Sequence, residues 1–144
     1  MKKNKKKAII VDIDGTLALF SHHRSPYDTQ LCEGDEPNVP IVMLLDSLVM
    51  AEKDLAIILV SGRFEEFMPQ TRNWLNKYEI PYDHLFMRPE GDKREDSIIK
   101  KEIYESKIKD KYDVWFVVDD RPRVVRMWRY DLGFTVFQLN DKEF

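Results

Sequence analysis

Five short apolar runs, each separated from the next by a stretch of helical periodicity, constrain this chain more than any other feature of its sequence. The runs fall at about 8–13, 55–60 ("LAIILV"), 84–87 ("HLFM"), 114–118 ("VWFVV") and 134–139 ("FTVFQL"), and the helical patterns at about 40–52, 69–78, 96–108 and 121–131. Strand and helix in alternation predict an α/β fold, a three-layer α/β/α sandwich built on a mainly parallel five-stranded sheet. Ligands of such sheets bind beyond the carboxyl ends of the strands. That rule gathers Asp12 and Asp14 after the first run, Ser61, Gly62 and Arg63 after the second, and Asp119, Asp120 and Arg121 after the fourth onto one rim. The irregular stretch at about 19–39, with Pro26, Gly34, Pro37 and Pro40, is expected over the same rim.

Composition narrows the classes of function. With 144 residues the chain has the length of one domain, expected over 8–144 behind a basic, disordered tail at 1–7. Its net charge of −3 includes five lysines among the first seven residues, so residues 8–144 carry about −8. A broad basic face for gripping duplex backbone is not expected from that balance. Cys32 is the single cysteine, and His22, His23 and His84 lack metal-ligand spacing, which leaves no Cys-based zinc site and points to a reducing, cytoplasmic setting. No apolar run is long enough to span a bilayer, and no association with a membrane is expected.

The acids at the strand ends call for a ligand. Asp12 and Asp14 sit two residues apart and so face one side, while Gly15 and Thr16 turn the chain away. With Asp119 and Asp120 nearby, four carboxylates crowd a small space, and a hard cation such as Mg²⁺ is the natural neutraliser. One such acid could simply cap a helix. Two pairs on one rim argue for a site. Ser61 and the backbone at Gly62 can donate to a phosphate at the start of a helix, Arg24 and Arg63 can hold its oxygens bidentately, and Lys100 can add a point charge. No GxxxxGK[ST] pattern occurs in the sequence, which argues against a P-loop kinase.

"DIDGT" after an apolar strand, "VSGR" after the second, a lysine before the fourth and "VVDD" ending it resemble the four signature motifs of haloacid dehalogenase-type (HAD) phosphatases. "RSPYD" at 24–28, "DKREDSIIKKEIY" at 92–104 and "DDRPRVVRMWR" at 119–129 are more specific and resemble the 3'-phosphatase domain of phage-type polynucleotide kinase-phosphatase. The resemblance implies an HAD-like Rossmannoid fold with a minimal cap. It implies Asp12 as nucleophile, Asp14 as general acid and then base with its main-chain carbonyl on Mg²⁺, and Lys100 balancing nucleophile and phosphate. Ser61, Thr16 and Gly62 fall in the phosphate-binding set with Arg24, Arg63 and Asp96, and Asp119 and Asp120 on the metal side, with Asp120 favoured as the direct ligand. The implied activity is Mg²⁺-dependent removal of 3'-phosphates from DNA or RNA ends, with 2',3'-cyclic ends as a further substrate. No kinase is assigned to this chain; a separate kinase or ligase is the expected partner.

Two other readings stand beside it: a phosphatase of free nucleotides or small phosphometabolites, and a non-catalytic end-binding partner of a kinase or ligase. Among individual residues, Asp96 and Lys100 have the spacing of an ordinary helical ion pair, and Lys93 and Lys101 are rival lysines. Arg88 and Arg94 could touch a nucleic-acid strand. His22 and His23 lie in the loop over the rim, and Trp115, Trp128 and Phe116 read as core.

Overall fold

A computed structural model describes residues 4–20 and 23–140. In chain order its elements are strands β1 (Lys6–Val11), β2 (Ala18–Leu19) and β3 (Glu36–Pro37), helix α1 (Val39–Ala51), strand β4 (Ala56–Phe64), helix α2 (Met68–Lys77) and strand β5 (His84–Arg88). They continue with helix α3 (Asp96–Ile103), strand β6 (Tyr112–Asp119), helix α4 (Pro122–Arg126) and strand β7 (Val136–Gln138). Five strands form one sheet in the order β5-β4-β1-β6-β7, and every pairing in it is parallel.

The alternation of residues along each strand divides the interior into two layers. Ile9, Val11, Ile57 and Leu59 pack with Leu45 of α1 and with Trp74 and Leu75 of α2 on one face. Ala8, Ile10, Ile58 and Val117 pack with Ile99 and Ile103 of α3 and Val124 and Val125 of α4 on the other. Each large aliphatic side chain fully removed from water there is worth about 1.5–3 kcal/mol, so neither helical layer can be peeled off cheaply. The expected three-layer parallel architecture is therefore the observed one. The chain builds outward from β1 through β4 to β5, then returns to the opposite side of β1 with β6 and β7. Such a reversal opens a crevice at the strands' carboxyl ends beside β1, where Asp12 follows the last residue of that strand.

Several boundaries differ from the sequence expectation, each for a local reason. β1 starts at Lys6, because Lys6 and Lys7 pair with Tyr112 and Asp113, so the sheet takes two residues from the expected tail. β4 continues through Ser61, Gly62 and Arg63 to Phe64, which pairs with Arg88 of β5. Ser61 therefore stands in a strand and not at a helix start, while the helix expected at about 69–78 runs over Met68–Lys77, after a 3₁₀ turn at Glu65–Phe67. The helical patterns at 96–108 and 121–131 are each an α-helix finished by a wider π turn, at Tyr104–Ile108 and Met127–Asp131. Trp115 is not core: the β1–β6 register passes from Ala8 opposite Val114 to Ile9 opposite Phe116, so Trp115 is the extra residue of a bulge. It is turned to solvent with the Lys7 ammonium 4.7 Å from its ring centroid.

The described residues flanking and following positions 21–22 in the stretch at 19–39 include regular structure. β2 and β3 pair antiparallel, Ala18 with Pro37 and Leu19 with Glu36, around a 3₁₀ turn at Thr29–Gly34 that buries Thr29 and Cys32. Among the described residues no helix is long and apolar enough to cross a membrane.

Candidate active site

Asp12 lies just beyond β1 and is buried, with one carboxylate oxygen receiving the Lys100 ammonium at 2.7 Å and the other the Thr16 hydroxyl at 3.0 Å. Thr16 can reach back because Gly15 adopts φ +82°, a left-handed conformation in which a side chain would be strained, and closes the turn with its amide on the Ala18 carbonyl at 2.9 Å. A Cβ at Gly15 would stand 2.0 Å from Asp120 Oδ2, so the missing side chain is also what lets the Asp120 carboxylate enter the site.

Lys100 comes from the buried face of α3 and bridges Asp12 to Asp119 Oδ2 at 3.0 Å. Asp119 is held further by the indole N–H of Trp128 at 3.1 Å and by the Asp120 amide at 2.8 Å. Asp12, Asp119 and Asp120 each bring one carboxylate oxygen within 4.8 Å of the other two. Burial first, and then the charge of Asp119, pushes the Asp12 carboxyl well above the ordinary range despite Lys100; burial likewise raises Asp120. For Lys100, burial works against its charge, but Asp119 and Asp12 outweigh it and hold the ammonium well above its usual value. Three buried acids facing one lysine leave negative charge in excess, and their hard oxygen donors fit a divalent cation such as Mg²⁺.

Asp14 is not part of that cluster. Its carboxylate accepts from Arg63 Nη2 at 2.6 Å, Arg63 Nε at 3.1 and 3.2 Å, and Arg24 Nη2 at 3.0 Å. Burial pushes Asp14 up, but Arg63 and then Arg24 prevail and hold it below the ordinary carboxylate value. Both arginines are anchored from behind by Asp35, a fully buried acid, with Arg24 Nε and Nη2 on its two oxygens at 2.8 Å each and Arg63 Nη2 at 3.2 Å. Arg63 Nη1 also donates to Thr71 of α2 at 3.0 Å. Arg24 and Arg63, expected in the phosphate-binding set, here hold the carboxylates of Asp14 and Asp35, which keeps the buried charges paired.

The remaining predicted residues fall around this centre. Ser61 is buried and its oxygen accepts the Arg63 amide at 3.0 Å, which leaves its O–H proton available to a ligand. Gly62 leaves room for the Asp96 carboxylate, which a Cβ would approach to 2.6 Å, and its carbonyl accepts from Arg88 at 2.7 Å. Asp96 is not paired with Lys100: it takes Arg88 on one oxygen and Arg121 Nη1 on the other, the latter at 2.5 Å. Lys101 points instead to Asp131 at 3.7 Å. Arg88 is buried in this network, while Arg94 lies at the surface between Asp92 and Glu102. His23 Nε2 sits 2.6 Å from Asp35 Oδ1; His22 lies outside the described residues.

Sequence reasoning missed Asp35, the hydrogen bond of Trp128, and the Arg88 and Arg121 hold on Asp96. Trp128 was read correctly as core and incompletely as to its N–H. Asp35 carries no local signal, because its partners stand 11, 12 and 28 positions away.

The fold has counterparts among known proteins. The phosphatase-domain model of the polynucleotide kinase PNKP, an HAD-type family, matches residues 6–144. A protein of Autographa californica nuclear polyhedrosis virus described as a bifunctional polynucleotide kinase/RNA ligase is 39% identical over 136 residues, 92% of this chain and 19% of the viral protein. A chain in the structure of a Pnkp1/Rnl/Hen1 complex superimposes with a TM-score of 0.92 at 40% identity, over 99% of this chain and 49% of its own length. A second structure, of the Pnkp1/Rnl/Hen1 RNA repair complex, gives 0.90 at 42% identity, over 97% and 44%. The HAD domain of the Legionella pneumophila effector Lem4 shares the fold alone, with a TM-score of 0.59 at 13% identity over 96% of this chain and 87% of its own. The chain spans about half the length of the solved relatives and about a fifth of the viral one. With the family model covering the sheet, both helical layers and every acid of the site, this chain belongs to the family of PNKP phosphatase domains.

Proposed function

We propose that this chain is a Mg²⁺-dependent polynucleotide 3'-phosphatase that works through an aspartyl-phosphate on Asp12. The observation that carries the reading is Lys100, buried and bridging Asp12 to Asp119 beside Asp120. A lysine there orients one acid and offsets the charge of a group arriving next to it, which suits a carboxylate nucleophile and an anionic substrate. Asp12, Asp119 and Asp120, with the main-chain carbonyl of Asp14, would hold Mg²⁺, which supplies positive charge to phosphoryl oxygens when bound.

In this reading a carboxylate oxygen of Asp12 attacks phosphorus as the bond to the 3'-oxygen breaks, and Asp14 delivers the proton that this oxygen needs. Water then attacks the aspartyl-phosphate, Asp14 takes the proton, and phosphate leaves with Asp12 regenerated. Ser61 and Lys100 donate to the phosphoryl oxygens, and Thr16 fixes the Asp12 carboxylate. The arginines act through Asp14 rather than on phosphate: Arg63 and Arg24 orient it and favour its ionised form, the form required of the base in the second step. They oppose the first step, where a proton must sit on Asp14, so substrate must loosen at least one of these contacts.

A polynucleotide substrate is supported by the family description, and a 3'-end by the resemblance of the stretches at 92–104 and 119–129 to a 3'-phosphatase domain. A kinase or ligase partner is supported by the kinase/ligase description of the viral relative and by the multiprotein complexes of the solved ones. The experiment is phosphate release, with and without Mg²⁺, from a 3'-phosphorylated oligonucleotide, its 5'-phosphorylated counterpart and a nucleoside 3'-monophosphate. Release confined to 3'-ends and dependent on metal is expected. Rapid hydrolysis of the mononucleotide with the 3'-phosphorylated strand left intact would overturn the substrate.

A further inference from the structure

A groove of about 450 Å³ runs between α3 and α4 on the layer that supplies Lys100. Its walls include Ile98 and Lys101 from α3 and Arg123, Arg126, Tyr130 and Asp131 from α4 and the π turn that follows it. α4 begins at Pro122, two residues after Asp120, and α3 begins at Asp96, so the two helices that form the groove both start at the candidate site. Arg123, Arg126 and Tyr130 are spaced i, i+3 and i+7 and share one helical face.

The chemistry of that face is unusual for this chain. Three cations line the groove against the single acid Asp131, on a protein whose net charge is −3. Tyr130 is 78% exposed, an aromatic ring presented to water beside those cations. Arg123 pairs with Glu95 at 2.7 Å and Lys101 with Asp131 at 3.7 Å, and both pairs are exposed and therefore weak enough for an incoming phosphate to compete. Aromatic faces interleaved with cations along a track suit a single nucleic-acid strand, whose bases stack and whose phosphates pair. The seven steps from Arg123 to Tyr130 span about 10 Å at 1.5 Å per residue, the length of about three stacked nucleotides.

We propose that the groove between α3 and α4 carries the single strand that leads to the 3'-phosphate, with Tyr130 stacking on a base two or three nucleotides upstream and Lys101, Arg123 and Arg126 taking its phosphates. The inference rests on the 3'-end reading above and adds to it a strand path and a minimum substrate length.

The test measures KM for phosphate release from 3'-phosphorylated DNA and RNA oligonucleotides of one to six nucleotides. Wild-type KM is expected to fall with length up to about four nucleotides and then level off. Tyr130→Ala and Lys101→Glu each raise KM for the four-nucleotide substrate about tenfold, Tyr130→Phe restores it, and the mononucleotide serves as reference. Lys101→Glu also flattens the salt dependence by about one unit of slope. A parallel arm follows binding of a fluorescent 3'-phosphorylated tetranucleotide to Asp12→Asn protein by anisotropy, with and without the groove substitutions. Wild-type KM values at every length in both variants, or unaltered anisotropy, would overturn the strand path. A dimer broken by Tyr130→Ala without any length effect would assign the groove to a second copy and overturn it equally. If no 3'-end is hydrolysed by the wild type, the assigned activity fails, and the anisotropy arm still decides the groove.

Discussion

Replacing Asp35 with alanine tests the claim that one buried acid sets the geometry of two arginines. Asp35 accepts two hydrogen bonds from Arg24 and one from Arg63, faces His23, and takes the Trp74 indole N–H on its carbonyl at 2.8 Å. Asp35→Ala keeps the carbonyl contact and removes the rest, leaving two buried guanidinium groups to share the Asp14 carboxylate beside their neutral contacts to Thr71 and the Ser25 carbonyl. Breaking a buried ion pair costs about 3–5 kcal/mol. Because Arg24 and Arg63 retain Asp14 at 3.0 and 2.6 Å, the lower end applies, about 3 kcal/mol. For a domain near 150 residues that corresponds to a fall in Tm of about 6–12 °C. Urea unfolding followed by tryptophan fluorescence reads it, with Trp74 reporting from beside the lesion. Asp35→Asn preserves the volume but turns an amide N–H toward a guanidinium, so it should lose nearly as much, which separates charge from packing. The arginines lose their fixed position at the same time, and kcat should fall about 10–100-fold. Stability within 1 kcal/mol of wild type together with kcat within twofold would refute the reasoning.

Four further outcomes are expected. Asp12→Asn should abolish turnover on every phosphoester while circular dichroism stays unchanged; residual turnover would exclude Asp12 as nucleophile. Lys100→Met leaves Asp12 and Asp119 as buried like charges and should cost about 3–5 kcal/mol in urea titration, part of it recovered on adding Mg²⁺. Gly15→Ala combines a left-handed backbone, costing about 1–2 kcal/mol, with a Cβ directed at Asp120; metal affinity, read by calorimetry, should fall more than stability does. Mg²⁺ at about 100 times its Kd should stabilise the wild type by about 2.7 kcal/mol in a thermal melt, and Asp120→Asn should lose most of that gain.

The sheet was legible because a parallel sheet covered on both faces writes each strand as an apolar run. Asp12 and Asp119 were legible for the same reason: acids have no place at the end of such a run unless something is bound there. Lys100 was distinguishable from Lys101 by family resemblance, and its position on the buried face of α3 gives the physical reason. What sequence could not supply was the partner of each charge. Arg24 and Arg63 look equally suited to phosphate or carboxylate until Asp35 is brought to them from across the chain. Trp115 escaped for a different reason, since a bulge shifts the alternation of a strand by one and no local pattern announces it.

The continuation of β4 past Val60 has a consequence for how this site can change over time. Arg63 faces α2 through Thr71, whereas Gly62 faces α3 through Asp96, because neighbours on a strand point to opposite sides. A loop at this position would absorb the insertion or loss of a residue. Here a single inserted residue ahead of Gly62 would exchange the two faces, sending a guanidinium toward Asp96 and emptying the place beside Asp14. Length variation between β4 and α2 is therefore expected to begin only beyond Phe64, however freely the surrounding surface diverges.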